Sequence, residues 1–330
     1  MTTRACFNVL MGSEPDEAAL RAAHCWFALD RIPGDPITTA WKRKARLRQS
    51  SWRTSRGYPV GTEPYAGGSE ARPVGSRLPL EYAKETGANF LTPGALVAVR
   101  QRLAAPEPYQ TLRTDRLWAD LLSSMPLCFN LFGDVAGDEE AAARAVRLWW
   151  PDAPCGRARV RFEHSPGRRD PLFLSNQSAF DVAFEIGGDN VPSAIIGVET
   201  KYHEHARPEA PPRPAALARY VEVTERSGAF LPGWKEAVVG TELQQLWLDH
   251  LLVLSMLQHP SGRWTWGRFA LVFPAENASF MAAAPRYAAL LARADTFEFR
   301  TIEEIVAVEG VLVEGTRSAL RDRYLASLEA

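Results

Sequence analysis

The sequence predicts an α/β fold with a central sheet flanked by helices, and three observations carry that prediction. Residues 178–205 (SAFDVAFEIGGDNVPSAIIGVETKYHEH) read as two strands about a tight turn. Residues 157–163 (RARVRFE) alternate strictly, as a half-buried strand does. Two strongly patterned helices, at 138–150 and 241–258, bracket these strands, and a further apolar strand follows at 266–274.

In chain order, residues 16–30 have helical apolar spacing, with Asp16 and Glu17 at the positive end of the helix dipole. His24 and Cys25 fall inside that helix as packing residues. Residues 41–56 (WKRKARLRQSSWRTSR) hold seven basic residues, two tryptophans and no acid. Such interleaving can track a phosphate backbone and stack on bases, which makes Lys42, Arg43, Lys44, Arg46 and Arg48 candidate nucleic-acid contacts. A solvated basic helix anchored by its tryptophans accounts for the same pattern equally well. Residues 57–78 are rich in Gly and Pro without periodicity, which predicts a long loop or arm. Pro106-Glu107-Pro108 marks a break, so residues 1–114 are expected to form an accessory region and residues 115–330 the main domain.

Residues 114–132 predict an apolar helix capped by Thr114-Asp115 and kinked or restarted at Pro126. Asn130 within it is expected to be a hydrogen-bonded structural residue. The helix at 138–150 places Glu139 and Glu140 in its first turn, where the helix dipole explains them. The strand at 157–163 ends in Glu163, a second-choice metal ligand, before a polar loop containing Arg168 and Arg169. Within the hairpin, Phe180, Val182, Phe184 and Ile186 share one face, while Asp181, Ala183 and Glu185 share the other. Gly187-Gly188-Asp189-Asn190 supplies the turn. The second strand is apolar to Val198, then ends Glu199-Thr200-Lys201 and is expected to run on through His205. His203 and His205 lack the spacing and the cysteine neighbours of a zinc site. A proline-rich linker (206–214) leads to a segment of mixed signal, then to the helix at 241–258, capped by Thr241. Gln244, Gln245 and Asp249 on that helix are not required by packing, whereas His250 lies in its apolar stripe. The tail predicts helices around a short strand at 296–300, with a capping box at Thr301-Ile302-Glu303-Glu304.

The chemistry concentrates where the hairpin strands end. If they pair about the turn, Asp181 lies beside Glu199, and Lys201 shares the face of Glu199. Buried adjacent carboxylates are costly unless paired or bound to a cation. A hard divalent ion suits a few carboxylate and carbonyl oxygens plus water. Such an ion can activate a water and stabilise a leaving oxygen in phosphodiester hydrolysis, and a neighbouring lysine can stabilise developing charge.

Asp181, followed eighteen positions later by Glu199-Thr200-Lys201, resembles the PD-(D/E)XK, or restriction-endonuclease-like, nuclease superfamily. With FNLFG upstream and QQLWLDHLL downstream, the wording is similar to a bacterial, largely uncharacterised branch of it. The resemblance implies a restriction-endonuclease-like core ordered α-β-β-β-α-β about a mixed sheet. It implies Asp181, Glu199 and Lys201 as catalytic residues, with Gln245 beside the lysine and Gln244 second. It also implies Mg²⁺ (or Mn²⁺) held by Asp181, Glu199 and the Thr200 carbonyl. Phe180 stands where the motif name has proline. Nucleic acid is the implied substrate, DNA rather than RNA because most relatives act on DNA, and a homodimer is compatible with the pattern. A catalytically inactive nucleic-acid-binding protein of the same fold is the alternative, as is a structural domain with an accidental E-x-K.

Composition sets the outer limits. At 330 residues and 46% hydrophobic, the chain can bury a large core. No apolar run is long enough for a membrane helix, and acids follow the N-terminus at once, unlike a signal sequence. Four widely spaced cysteines suggest neither a disulfide framework nor zinc, so a reduced cytoplasmic protein is expected. Net charge is −1, yet residues 1–110 are net basic and the remainder net acidic. Bulk charge therefore neither favours nor opposes a polyanionic substrate.

Overall fold

The computed structural model describes residues 15–26, 36–64, 71–110, 112–188 and 192–325. The N-terminal part contains α1 (Glu17–Ala22), the long α2 (Pro36–Ser55), a ribbon of β1 (Gly61–Pro64) and β2 (Ala71–Val74), α3 (Leu80–Thr86) and α4 (Pro93–Ala104). Then come α5 (Thr114–Ala119), α6 (Ser124–Ala136) and α7 (Glu139–Trp149), followed by β3 (Arg157–His164), β4 (Phe180–Gly187) and β5 (Pro192–Thr200). The chain continues through α8 (Pro214–Ser227), α9 (Trp234–Val238), α10 (Gln244–Leu257), β6 (Trp266–Phe273), α11 (Ala278–Ala288) and β7 (Phe297–Thr301). It closes with α12 (Ile302–Ala307), α13 (Glu314–Leu320) and one π-helical turn, Arg321–Leu325.

The five strands lie in the order β3-β4-β5-β6-β7. The first two pairings are antiparallel, and the last two are parallel. The segment α7-β3-β4-β5-α10-β6 therefore has the predicted order and a mixed sheet, with β5 at its centre.

Two apolar clusters cover the two faces of the sheet. Val182, Phe184, Ile196 and Val198 pack with Phe129, Phe132 and Trp149 of α6 and α7. Ala183, Ile195, Phe269 and Leu271 pack on the other side with Trp247, Leu251 and Tyr287 of α10 and α11. The two-residue strand period separates these sets, and burying each large side chain contributes about 1.5–3 kcal/mol. Trp41 and Trp52 of α2 and Phe90 belong to the first cluster with Phe129 and Tyr324, so the region before Thr114 shares the core of the sheet domain.

Several boundaries differ from the sequence expectation. α1 stops at Ala22, because the chain turns at His24 (φ 53°) and buries Cys25 against the Arg46 carbonyl. Residues 27–30 of that predicted helix lie outside the described residues. The Gly/Pro-rich stretch is an antiparallel ribbon rather than a featureless arm; Gly61 pairs with Val74 and Glu63 with Arg72. The predicted 114–132 helix is two helices, and Ser123 caps the second by accepting the Met125 amide. Pro126 sits in that first turn, where its missing N–H costs nothing. β5 ends at Thr200 rather than running to His205, because the Tyr202 carbonyl accepts the Trp41 indole N–H and its hydroxyl accepts from Gln49. α10 starts three residues after Thr241, whose hydroxyl accepts the Leu243 amide. The Thr301–Glu304 capping box is present in full. No helix among the described residues is long and apolar enough to cross a membrane.

Candidate active site

β4 and β5 pair Val182 with Val198 and Ala183 with Gly197. The ladder ends at the Val182–Val198 rung; carried one residue further, the same register would set Asp181 opposite Glu199, about 5 Å apart between Cα atoms. Glu199 keeps the parity of Ile195 and faces α10, whereas Phe180 packs with Ala183 on that same side, so the alternation breaks at Asp181, whose position is fixed by Thr200 instead. Gly197 makes room for this arrangement, since a Cβ there would lie 2.3 Å from the Phe180 ring. Phe180, the residue in place of the motif proline, is thus packed flat over the rung beside Asp181.

Asp181 Oδ2 accepts two hydrogen bonds from Thr200, at 2.8 Å from the amide and 2.6 Å from the hydroxyl. The Ser124 carbonyl lies 3.2 Å from the same hydroxyl, which ties this corner to the start of α6. Lys201 continues the ladder by donating its amide to the Val272 carbonyl at 2.8 Å. Its Nζ donates to Glu199 Oε1 at 2.6 Å, and the two side chains remain 5% and 13% exposed. The predicted trio is therefore gathered at one corner of the sheet with a narrow opening to solvent.

β3 contributes Glu163. Phe162 pairs with Val182 and His164 with Phe180, so Glu163 falls opposite Asp181. Its backbone is left-handed (φ 50°), a conformation a glutamate adopts only at a cost. Two buried arginines hold it there. Arg102 donates to the Phe162 carbonyl at 2.8 Å and the Glu163 carbonyl at 3.2 Å, and Arg168 donates to the Glu163 carbonyl at 2.9 Å. Arg168 is anchored in turn by Glu107, which also bonds His164 Nδ1 at 3.1 Å. These partners hold the Glu107 carboxyl down to about 2 against the opposing effect of burial. Arg168 is thus a buried clamp, while the Arg169 guanidinium lies over Tyr109, 4.2 Å from its centroid.

α10 supplies Asp249, one turn beyond Gln245. Its Oδ2 is buried and has no hydrogen-bond partner. Burial pushes the carboxyl up to about 7; the Lys201 charge opposes that rise and Asp181 adds to it. The other acids behave alike. Burial and then the Glu199 charge raise Asp181 to about 7. Burial raises Glu199 to about 8 despite the Lys201 ammonium, and burial followed by Asp181 raises Glu163 to about 8. Lys201 is shifted upward: burial works against its charge, but Glu199 and Asp249 outweigh it. Asp181, Glu199 and Asp249 thus share one ammonium, with Glu163 acting on Asp181 from β3, in a poorly solvated corner whose excess of negative charge a cation relieves.

The donor set fits a hard divalent ion: carboxylates from Asp181 and Glu199, a backbone carbonyl at Thr200, and Glu163 within the same electrostatic group. Among the described residues no three His, Cys, Asp or Glu side chains form a ready-made cage. An ion of the Mg²⁺ class does not need one, since it binds one or two carboxylates and keeps several waters.

The remaining sequence candidates lie elsewhere. Gln244 is engaged by the backbone, its amide donating to the Ala210 carbonyl at 2.9 Å and accepting from the Gly240 amide at 2.8 Å. Gln245 lines a cavity of about 380 Å³ with Lys42, His203, His205 and Arg207. Three of the five basic candidates on α2 are buried and engaged, a correction to the view that they track a phosphate backbone. Arg48 pairs with Glu276 at 2.6 Å and donates to the Tyr324 carbonyl; Lys44 binds the same glutamate, and Arg46 donates to the Cys25 carbonyl. Arg43 lies over the Trp26 ring at 5.3 Å. Asn130 is structural, accepting the Leu91 amide and donating to Asn89 and Tyr324. His250 bonds the Tyr287 hydroxyl in the core, and burial lowers it to about 3. Sequence reasoning singled out Asp249 as unneeded for packing without giving it a role. It missed Arg102 and Glu107, whose place depends on a left-handed residue that no local pattern announces.

A family model described as the PD-(D/E)XK nuclease superfamily matches residues 36–326, which include both α2 and the whole sheet. Comparisons with curated proteins and with solved structures find no match. The match spans the greater part of the chain, so the chain belongs to the PD-(D/E)XK nuclease superfamily.

Proposed function

We propose that this protein is a Mg²⁺-dependent nuclease that hydrolyses phosphodiester bonds of nucleic acid, with DNA as the first substrate to test and Mn²⁺ as a substitute ion. The observation that carries the reading is the shared corner of Asp181, Glu199 and Lys201, with Glu163 across the rung. Asp181 and Glu199, with the Thr200 carbonyl, would hold the ion. When bound, it would orient the scissile phosphate, lower the pKa of a water and stabilise the leaving oxygen.

The chain's own groups do the rest. Thr200 fixes Asp181 through two hydrogen bonds to one oxygen, so the other oxygen keeps a defined direction. Lys201 is held protonated by its acidic neighbours, which suits it to donate hydrogen bonds and positive charge rather than to remove a proton. Its present partner is Glu199; charge developing on a phosphate oxygen, or the attacking water, would be a second acceptor for its remaining N–H groups. Asp249 is suited to orient that ammonium from the α10 side, and Gln245, one turn earlier, lines a cavity with Lys42, His203 and Arg207.

The test is cleavage of linear and circular DNA, and of RNA, by the purified chain with Mg²⁺, Mn²⁺ or EDTA. Metal-dependent cleavage that falls at least about 10²-fold in Lys201→Met is the expected result. Cleavage indifferent to EDTA, or unchanged in that variant, would remove the proposal.

A further inference from the structure

We propose that a second cavity, lined by arginines beside Thr200 and Ser124, is a phosphate-binding subsite for the nucleic-acid strand. The inference deepens the nuclease reading and rests on it for the identity of the strand. The cavity has a volume of about 390 Å³. Arg72, Arg77 and Arg116 line it, with the buried Arg46, already bound to the Cys25 carbonyl, in its wall, against Glu63, Asp120 and Glu204.

The pairing inside the cavity differs from pairing elsewhere in the molecule. Structural arginines are bound tightly, as in Arg48–Glu276 at 2.6 Å and Arg161–Glu185 at 2.7 Å. In the cavity, Arg77 stands 4.0 Å from Glu63, and Arg116 stands 3.8 Å from Glu204, both beyond hydrogen-bond distance. Two of the three carboxylates there are engaged by other donors. Glu204 accepts from the Ser124 hydroxyl at 3.2 Å and the Tyr202 amide at 2.9 Å, and Asp120 accepts the Leu122 amide at 3.0 Å. Arg77 Nε and His203 Nε2, both on lining residues, are buried without a hydrogen-bond partner. Arg77 and Arg116, held beyond hydrogen-bond distance of Glu63 and Glu204, suit a ligand that only accepts and carries negative charge. A phosphate matches the planar fork of arginine in both respects.

Position links the cavity to the reaction. Ser123 lines it, and the adjoining Ser124 carbonyl lies 3.2 Å from the Thr200 hydroxyl that holds Asp181. The volume is at the small end of ligand pockets, which suits one phosphate-bearing unit rather than a duplex. A phosphate seated there would belong to the strand whose neighbouring bond meets Asp181 and Glu199. It could be a terminal phosphomonoester or an internal phosphodiester, and the two differ in the test below.

The experiment measures binding of internally labelled single-stranded oligodeoxynucleotides by fluorescence anisotropy in EDTA, so that no cleavage intervenes, across a series of salt concentrations. Arg77→Gln with Arg116→Gln is expected to weaken binding about tenfold and to flatten the log–log salt slope by about 0.7, the loss of one phosphate contact. Arg226→Gln, whose side chain pairs with Glu222 on the exposed face of α8, is expected to change neither. Two comparisons use the unaltered protein and so do not depend on a variant folding. Inorganic phosphate should compete with the oligonucleotide. A 5′-phosphorylated strand should bind at least fivefold more tightly than its 5′-hydroxyl counterpart if the occupant is terminal, and equally if it is internal. The proposal is overturned if inorganic phosphate fails to compete, or if the double variant, melting like the wild type, keeps both affinity and salt slope. Failure of the nuclease reading would look different: phosphate-sensitive binding would persist without metal-dependent cleavage.

Discussion

Asp181 and Glu199 would repel each other as cross-strand neighbours if both were ionised, and with Asp249 they share one ammonium. Their carboxyls are pushed up to about 7 and about 8, so the folded protein keeps protons that the unfolded chain releases. The stability these acids allow is full below the unfolded carboxylate range near about pH 4 and is lost as pH rises through those folded values. In EDTA the melting temperature is therefore expected to fall between about pH 5 and about pH 8.5, with Mg²⁺ restoring more of it at the upper end. Glu107 acts in the opposite sense and outside that window, because its carboxyl is lowered to about 2 and its support fades only in acid. Asp181→Asn should raise the metal-free melting temperature at about pH 8 while abolishing metal-dependent cleavage; thermal melts and a cleavage assay on one preparation check both signs.

At the scale of elements, the corner depends on how closely β4 and β5 pack. Gly197→Ala would drive a methyl group into the Phe180 ring beside Asp181. The expected cost is about 1–3 kcal/mol of stability, with lost cleavage activity although no catalytic group is touched. Urea denaturation and cleavage rates read the two effects; wild-type behaviour in both would contradict the packing described. The hairpin was legible in the sequence from its alternation and apolar run, which give the shared face of Val182, Phe184 and Ile186. Phe180, expected on that face, packs with Ala183 on the other, and residues 189–190 of the expected turn lie outside the described residues. The Thr301 capping box was legible for the same reason, as its pattern is local. The left-handed turn at Glu163 was not, because its cause is a pair of arginines from α4 and the loop after β3. Nor could local pattern decide between the two readings of α2. Lys44 and Arg48 are neutralised by Glu276, more than 220 positions away, so a stretch that reads as exposed and basic is half interior.

Across the whole molecule, the final π-helical turn locks the N-terminal helices to the sheet domain. Arg323 is fully buried and donates to the Asn89 carbonyl at 2.7 Å, the Asn89 side chain at 2.6 Å and Gln49 at 3.1 Å. It also lies over the Trp52 ring at 4.3 Å. Arg323→Leu leaves those acceptors buried and short of a donor, at an expected cost of about 2–3 kcal/mol or more. Because Trp41 and Trp52 share one core with Phe129 and Tyr324, we expect the N-terminal region and the sheet to unfold together. Tryptophan fluorescence and far-UV circular dichroism should give one coincident urea transition; two separated transitions would mean that the chain divides near Thr114 after all.

The most direct test of the account is calorimetric titration of Mn²⁺ and Mg²⁺ into the wild-type chain, Asp181→Asn and Glu199→Gln at about pH 8. One saturable site in the wild type, weakened at least tenfold by either substitution, is the predicted result. Equal binding by all three proteins would contradict an ion held between β4 and β5.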